Sequence, residues 1–360
     1  MSELPAISLF SGVGGLDLGV ERGGYHVRAC LEYEGDAAAT LRANFPEATV
    51  LNRDIRTVET AELLEAAGLR PGEAELLVGG PPCTPFSKSG NWLEYKRTGQ
   101  DANADLLDHY LRVLSEARPR AFLLENVYGL AYRNHNQFWL KRLLSMFREL
   151  GYHVDHRVLL AADYGVPQRR QRLFILGSRD RLPSFPTPSH SGPHETRRSW
   201  DESLPDHIST GSAIGDLASR DDMAEPEEEV SGTYAHLLPE VPPGGNYLHF
   251  TEKRGHPKPQ FTWRSRYWNF LLKLDPEQPS PTIQAQPGPW VGPFHWNNRR
   301  LRSAEVKRLQ TFPDDYTIVG SRRSAQIQLG NAVPPALAEK IAVALREAMS
   351  DKQVMVGAAG

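Results

Sequence analysis

Chemistry in this 360-residue chain is concentrated on one thiol, one carboxyl group and one run of arginines. Cys83 lies in Gly79-Gly80-Pro81-Pro82-Cys83-Thr84-Pro85-Phe86-Ser87. The two glycines allow a ligand to come close, and the three prolines fix φ on both sides of the cysteine. Such a loop places a thiol reproducibly, as a nucleophile requires. The other cysteine, Cys30, sits inside an apolar run and reads as a small buried hydrophobe. Glu125, in Glu125-Asn126-Val127, ends an apolar run, where a carboxyl group acts as a general acid or base, or simply meets solvent. Gln168-Arg169-Arg170-Gln171-Arg172 offers guanidinium forks for phosphate or carboxylate, or else a charged surface turn.

A second group of residues suits a nucleotide. Phe10-Ser11-Gly12-Val13-Gly14-Gly15 follows the first apolar run and opens a helical pattern. Its glycines permit a sharp turn and close approach, and the helix start offers free N–H groups. Glu32 follows about 20 residues on, the spacing at which an acidic side chain takes a ribose diol. Asp54-Ile55 ends a weaker third run, Thr49–Asn52. The turn is not the full Gly-x-Gly-x-x-Gly pattern, which argues against NAD or FAD. A tight turn with two solvated carboxylates is the plainer alternative.

The elements that must position these residues are legible in the first half. Ala6–Phe10, Val27–Leu31, Leu76–Val78, Ala121–Glu125 and Leu173–Gly177 are short, apolar and bounded by Gly, Pro or charge, so they predict buried strands. Between them, helices are predicted over Asp36–Asn44, Asp105–Ala117 and Gln137–Leu150. This alternation predicts a mostly parallel sheet covered on both faces, with the candidate residues at its carboxyl edge. After about residue 180 the character changes: residues 181–300 hold 17 of the 28 prolines and little helical periodicity. The acidic Asp221–Glu229 reads as a solvated loop or disordered insert. Helices return at Ser303–Thr311 and Pro335–Met349, the latter with Pro335 in its first turn. The chain therefore divides into a larger α/β domain, 1–180 plus 324–350, and a smaller irregular domain, 181–323.

Composition excludes several classes. No apolar run approaches the roughly 20 residues that span a bilayer. The N-terminus lacks the pattern of a secretory leader, and two cysteines make neither a disulfide framework nor a zinc cluster, so a reducing cytoplasm and no metal are expected. The net charge of −3 is uninformative, but residues 253–323 carry 13 Lys and Arg against 5 Asp and Glu. That local excess of +8 suits phosphate binding. Arg264, Arg266, Trp263, Tyr267 and Trp268 are candidates for groove or backbone contact, or for an ordinary aromatic core with basic flanks. Arg299, Arg300 and Arg302 read as backbone contacts.

Six motifs in order make the sequence resemble the C5-cytosine DNA methyltransferase family of bacterial or phage type. They are the Phe-Ser-Gly-x-Gly-Gly turn, the Pro-Pro-Cys loop, Glu-Asn-Val, Gln-Arg-Arg-x-Arg, Arg-Leu-Gln-x-Phe-Pro-Asp (Arg308–Asp314) and Gly-Asn-x-Val-Pro-Pro (Gly330–Pro335). The resemblance covers the chain except roughly 181–280. It implies a Rossmann-like α/β domain dependent on S-adenosylmethionine and a target-recognition region, about 185–297, in the smaller domain.

By position, the resemblance implies Cys83 as nucleophile, Glu125 as acid, and Arg170 and Arg172 as anchors of a flipped nucleotide. It implies a cofactor pocket of Phe10, Ser11, Gly12, Gly14, Gly15, Glu32, Tyr33, Asp54, Ile55, Pro82 and Asn331, with Ser87 toward DNA. Thr84 stands where many bacterial members carry Gln. The implied partners are duplex DNA and a cognate restriction endonuclease acting on the same sequence, with the chain monomeric. The alternatives are the same chemistry on tRNA, an NAD-type oxidoreductase, and a silent nucleic-acid-binding protein. The first keeps every motif; the other two leave Cys83 and Glu125 unexplained.

Overall fold

A computed structural model of the chain describes residues 3–82, 105–132, 134–192, 203–264 and 267–350. The chain divides into two compact units. The first comprises residues 1–159, 171–187 and 338–360; the second comprises 160–170 and 188–337. Gln168–Arg170 and the whole Gly-Asn-x-Val-Pro-Pro motif (Gly330–Pro335) thus pack with the irregular half. The sequence reading had assigned both to the larger domain.

The first unit is built on a seven-stranded sheet. Its strands are β1 (Pro5–Leu9), β2 (His26–Glu32), β3 (Thr49–Asn52), β4 (Leu76–Gly79), β5 (Ala121–Val127), β6 (His153–Leu160) and β8 (Gln171–Ser178), in the order β3-β2-β1-β4-β5-β8-β6. The contacts β3/β2, β2/β1, β1/β4 and β4/β5 are parallel, and β5/β8 is antiparallel. β4 is buried throughout, and Ala121–Leu124 of β5 likewise, as strands covered on both faces must be. β6 escaped the sequence reading because His153–Leu160 mixes exposed and buried positions without strict alternation.

The helices follow their apolar stripes. Leu106–Ala117 buries Leu106, Tyr110, Leu111, Val113, Leu114 and Ala117, and ends at Arg118, whose φ of 50° stops it. Asn134–Glu149 sends Phe147 against Phe122 of β5, with ring centroids 4.5 Å apart. Four helices were missed, two of them single turns, Gly129–Tyr132 and Thr210–Ile214. Thr60–Ala67 is short, and Arg322–Asn331 is polar and depends on its N-cap, where Ser321 accepts from Ser324 N.

The second unit has little regular structure. β7 (Gln168–Arg169) pairs with β9 (Ser280–Pro281), α-helices run over Thr210–Ile214, Ser303–Leu309 and Arg322–Asn331, and short 3-10 turns surround an aromatic core of Tyr247, Phe250, Phe294 and neighbouring leucines. As expected of a solvated loop, the acidic stretch Asp221–Glu229 is mostly exposed, with a single 3-10 turn at Asp221–Met223, but two of its side chains are tied to the fold. Glu228 pairs with the buried Arg302, and Glu225 pairs with Arg322. Two of its carboxylates are thus taken up by internal cations. No helix among the described residues is long and apolar enough to cross a membrane.

Candidate active site

Parallel register aligns the strand ends. Leu9 lies opposite Leu31 and Gly79, Glu32 opposite Asn52, and Gly79 opposite Leu124. The segments leaving β1, β2, β3, β4 and β5 therefore emerge along one edge. Strand order reverses between β1 and β4, the position at which open α/β sheets bind ligands.

The turn after β1 is held in an unusual backbone shape. Phe10 has φ 55°, Gly12 has φ 56° and Gly14 has φ 80°. Nothing stands within 4 Å of where a Gly12 side chain would begin, so the backbone angle and not crowding demands glycine there. Gly15 is the first residue of the helix Gly15–Arg22. Glu32 pins this turn: its Oε2 accepts from Gly12 N at 2.7 Å and its Oε1 from Glu34 N at 2.8 Å. Burial pushes the carboxyl above its ordinary range, against the pull of those two N–H groups. Tyr33, beside it, is 68% exposed.

Asn52, which the sequence reading did not single out, donates to the carbonyls of Glu32 and Tyr33 at 2.9 and 2.8 Å and ties β3 to β2. Asp54 accepts from Arg56 N at 2.9 Å, and the Arg56 guanidinium bridges Asp54 and Asp105. The Arg56 N–H holds the Asp54 carboxyl below its usual range. Ile55 is buried in the hydrophobic cluster that includes Val58 and Leu63.

At β5, antiparallel pairing sets Val127 opposite Arg172 and Glu125 opposite Phe174. Glu125 and Arg172 are therefore diagonal neighbours on one face, and Arg172 Nε stands 3.0 Å from Glu125 Oε1. Burial pulls the Arg172 guanidinium below its ordinary value, and Glu125 opposes that. A side chain on Gly80 would begin 3.2 Å from Glu125 Oε2, so this glycine leaves room beside the carboxylate. The buried Asn126 Nδ2 donates to Pro81 O at 3.3 Å, fixing the start of the loop that carries Cys83. Pro82 is exposed; Cys83, Thr84 and Ser87 lie outside the described residues.

The other predicted residues belong to the second unit. Arg170 is buried and donates to Asn331 O at 3.2 Å, while the Asn331 side chain is exposed at the end of its helix. Three motifs interlock here. Gln168 donates to Gln310 Oε1 at 3.0 Å and accepts from Ile283 N, and Gln310 donates to Leu329 O at 2.5 Å. A side chain on Gly330 would begin 2.4 Å from Ala285 Cα, so the chain passes where only glycine fits. The glutamines were visible as motif letters; their bonding role was not.

Among the nucleic-acid candidates, Arg264, Trp263, Tyr267 and Trp268 are exposed, and Lys253 Nζ sits 4.4 Å over the Trp263 ring. The Tyr247 hydroxyl accepts from Arg264 N at 2.8 Å and donates to Arg264 O, giving this segment a firm mount. Arg266 lies outside the described residues. The expectation for Arg299 and Arg302 is corrected. Both are buried, Arg299 in a bidentate pair with Glu305 at 2.7 and 2.8 Å and Arg302 against Glu228, so their charge is spent inside the fold. Arg300 is half-buried and donates to Pro289 O at 2.6 Å. Among the described residues no cluster of His, Cys, Asp and Glu could hold a metal ion.

Residues 4–347 match the family model for C-5 cytosine-specific DNA methylase. The chain is 50% identical to Type II methyltransferase M.SacI of Streptomyces achromogenes, over 96% of this chain and 93% of that one. It is 32% identical to Type II methyltransferase M1.HphI of Haemophilus parahaemolyticus, over 95% and 86%. Among solved structures, a mutant of Spodoptera frugiperda DNMT2 superposes with TM-score 0.63 at 17% identity, covering 96% of this chain and all of that one. S. pombe Dnmt2 methyltransferase does so with TM-score 0.57 at 16% identity, covering 97% and all of it. At such identities the two structures speak for the fold alone.

Proposed function

Because the chain belongs to the C-5 cytosine-specific DNA methylase family, we propose that it methylates C5 of a flipped cytosine in a specific duplex DNA sequence, using S-adenosylmethionine and a covalent bond from Cys83 to C6. The observation that carries this reading is the Glu125–Arg172 pair beside the Asn126–Pro81 tie, on the same sheet edge as the Glu32-pinned turn.

The turn fits the cofactor. A buried carboxylate whose oxygens retain lone pairs for a diol stands beside a backbone with open space above Gly12. Glu32 would hold the ribose, Asp54 the adenine amino group, Phe10 the adenine face, and Gly12 and Gly14 the approach. Ser11, Gly15, Tyr33, Ile55, Pro82 and Asn331 complete the proposed set. S-adenosylmethionine, when bound, supplies an electrophilic methyl group.

Cytosine C5 is too weak a nucleophile to take that methyl directly. Addition of the Cys83 thiolate to C6 turns C5 into an enamine-like carbon. Negative charge then builds on the N3–O2 edge, where Glu125 with a proton would bond N3 and Arg172 would bond O2. The Arg172 cation also favours the thiolate. After C5 has gained its methyl, water takes the C5 proton, the C5=C6 bond re-forms and Cys83 leaves. A stacked base is out of reach, so the nucleotide must be extruded at a cost of a few kcal/mol, offset by pocket and phosphate contacts. Arg170 would anchor it. Arg264 and Arg266, with Ser87 and the exposed aromatics, would contact the duplex. The chain would act as a monomer in the cytoplasm, beside a restriction endonuclease reading the same sequence.

Cys83→Ala is expected to lower methyl transfer by at least about a thousandfold while DNA binding persists. Wild type should form a trapped covalent complex with 5-fluorocytosine DNA. Near-normal turnover of the variant, or no trapping by an active preparation, would sink the mechanism. Bisulfite sequencing of DNA treated with the purified protein reads the target site directly.

A further inference from the structure

The turn after β3 is fastened to a helix by two arginines that the mechanism leaves unused. Asp54 follows β3, and Asp105 precedes the helix Leu106–Ala117. Arg56 bridges the two. Its Nε and Nη2 donate to Asp105 Oδ2 and Oδ1 at 2.8 and 2.7 Å, and its Nη1 donates to Asp54 Oδ2 at 2.9 Å. Asp54 Oδ1 accepts from Arg56 N at 2.9 Å, so one residue engages both oxygens of that carboxylate. From the helix side, Arg112 Nη2 donates to the carbonyls of Val58 and Ile55 at 2.9 and 3.1 Å. The turn is thereby tied down at its start and at its end.

The fork from Arg56 to Asp105 is bidentate, which fixes the plane of the guanidinium and so aims Nη1. An aspartate carboxylate otherwise turns broadly about its last torsion. Two donors on different oxygens stop that rotation. Each ionised oxygen has two lone-pair sites, so each keeps one to accept from a ligand. The Arg56 N–H and guanidinium also lower the carboxyl, which keeps it an acceptor only. The side chains of Asp54, Arg56 and Asp105 are all partly exposed, and ion pairs so placed add little to stability. The consequence of this bridge is orientation.

We propose that Arg56 is a positioning residue for the adenine amino group, acting through Asp54, with Asp105 as the anchor that aims it. An adenine amino group donates, and a carboxylate held toward it rejects a purine that carries oxygen in its place. Without Arg56 the Asp54 carboxylate turns freely, and the preference for adenine fades while the other contacts to the cofactor persist.

This inference rests on Asp54 meeting the adenine, as proposed above. The test is calorimetric binding of S-adenosylhomocysteine and S-inosylhomocysteine to wild type, Arg56→Ala and Asp105→Asn. The two ligands differ in the amino group or oxygen on the six-membered ring of the purine. Wild type should prefer the adenosyl ligand by at least about tenfold, the range of one hydrogen bond to a charged group. Arg56→Ala should bind the adenosyl ligand about tenfold more weakly and the inosyl ligand much as wild type does. Asp105→Asn keeps the bond from Arg56 to Asp54 but loosens the fork, so it should lower the preference by about threefold. It also carries the test if Arg56→Ala does not fold. A merely structural role would weaken both ligands alike. An unchanged preference in the folded variants would overturn this inference alone. Equal binding of the two ligands by wild type would remove Asp54 from the adenine, and binding of neither would overturn the cofactor reading; this inference falls with each.

Discussion

The two units differ in how much of their backbone side chains must satisfy. In the first, ladders and helices pair most of it, and side-chain bonds to backbone gather at the edge where strands end, where Glu32 and Asp54 accept from N–H groups and Asn52 and Asn126 donate to carbonyls. In the second, irregular backbone has few ladders, and side chains take their place. Lys273 donates to Val241 O, Arg302 to Leu217 O and Arg220 O, Asn246 to Trp268 O, and Gln310 to Leu329 O. Buried polar backbone must be paired somewhere. The lesson is that the basic excess of residues 253–323 is not a measure of charge offered to DNA. Part of it neutralises Glu228 and Glu225, which lie outside that tract but inside the unit.

That contrast can be broken at Arg302. Arg302→Ala leaves Glu228 beside an empty site and is expected to destabilise the second unit by about 3–5 kcal/mol. Urea unfolding followed by tryptophan fluorescence measures it, and the double change Arg302→Met with Glu228→Gln should recover much of the loss. A variant as stable as wild type would mean that this charge is not structural.

In the first unit, the expected effect falls on function more than on stability. Asn126→Ala removes the tie to Pro81 O and should cost about 1 kcal/mol of stability. Displacing the loop that carries Cys83 should lower kcat by about ten- to a hundredfold with little change in KM for DNA. Equal changes in both constants would show that Asn126 serves binding instead.

The smallest effect is expected at Arg264, the exposed counterpart of the buried arginines. Arg264→Ala should change stability by less than about 0.5 kcal/mol. It should reduce the slope of log affinity against log salt by about 1, if one phosphate contact is lost. A stability loss like that of Arg302 would erase the distinction drawn here.

The sheet was legible because most of its strands are short apolar runs between turn residues; the edge strand β3, with no buried residue, and the half-exposed β6 lacked that contrast. The catalytic candidates were legible because motifs carry them. The partners of charges were not. Asp221–Glu229 and Arg299–Arg302 each read as solvent-facing when taken alone, since the sequence does not show that residues some 74 positions apart meet. The bonding roles of Asn52 and of Asn126, the latter present only as a motif letter, were hidden for a related reason: an amide side chain has no marked chemistry until a particular carbonyl stands opposite it.

What the sequence determined by itself was the order of motifs, the alternation that makes a parallel sheet, and the residue types at its carboxyl edge. These are local properties, set by side-chain period and backbone freedom. Tertiary structure alone decided which arginines are spent within the fold, which carboxylates they neutralise, and that Asp17 lies dry beneath the turn after β1. Those outcomes depend on distance through space and on the loss of water, neither of which is written along the chain.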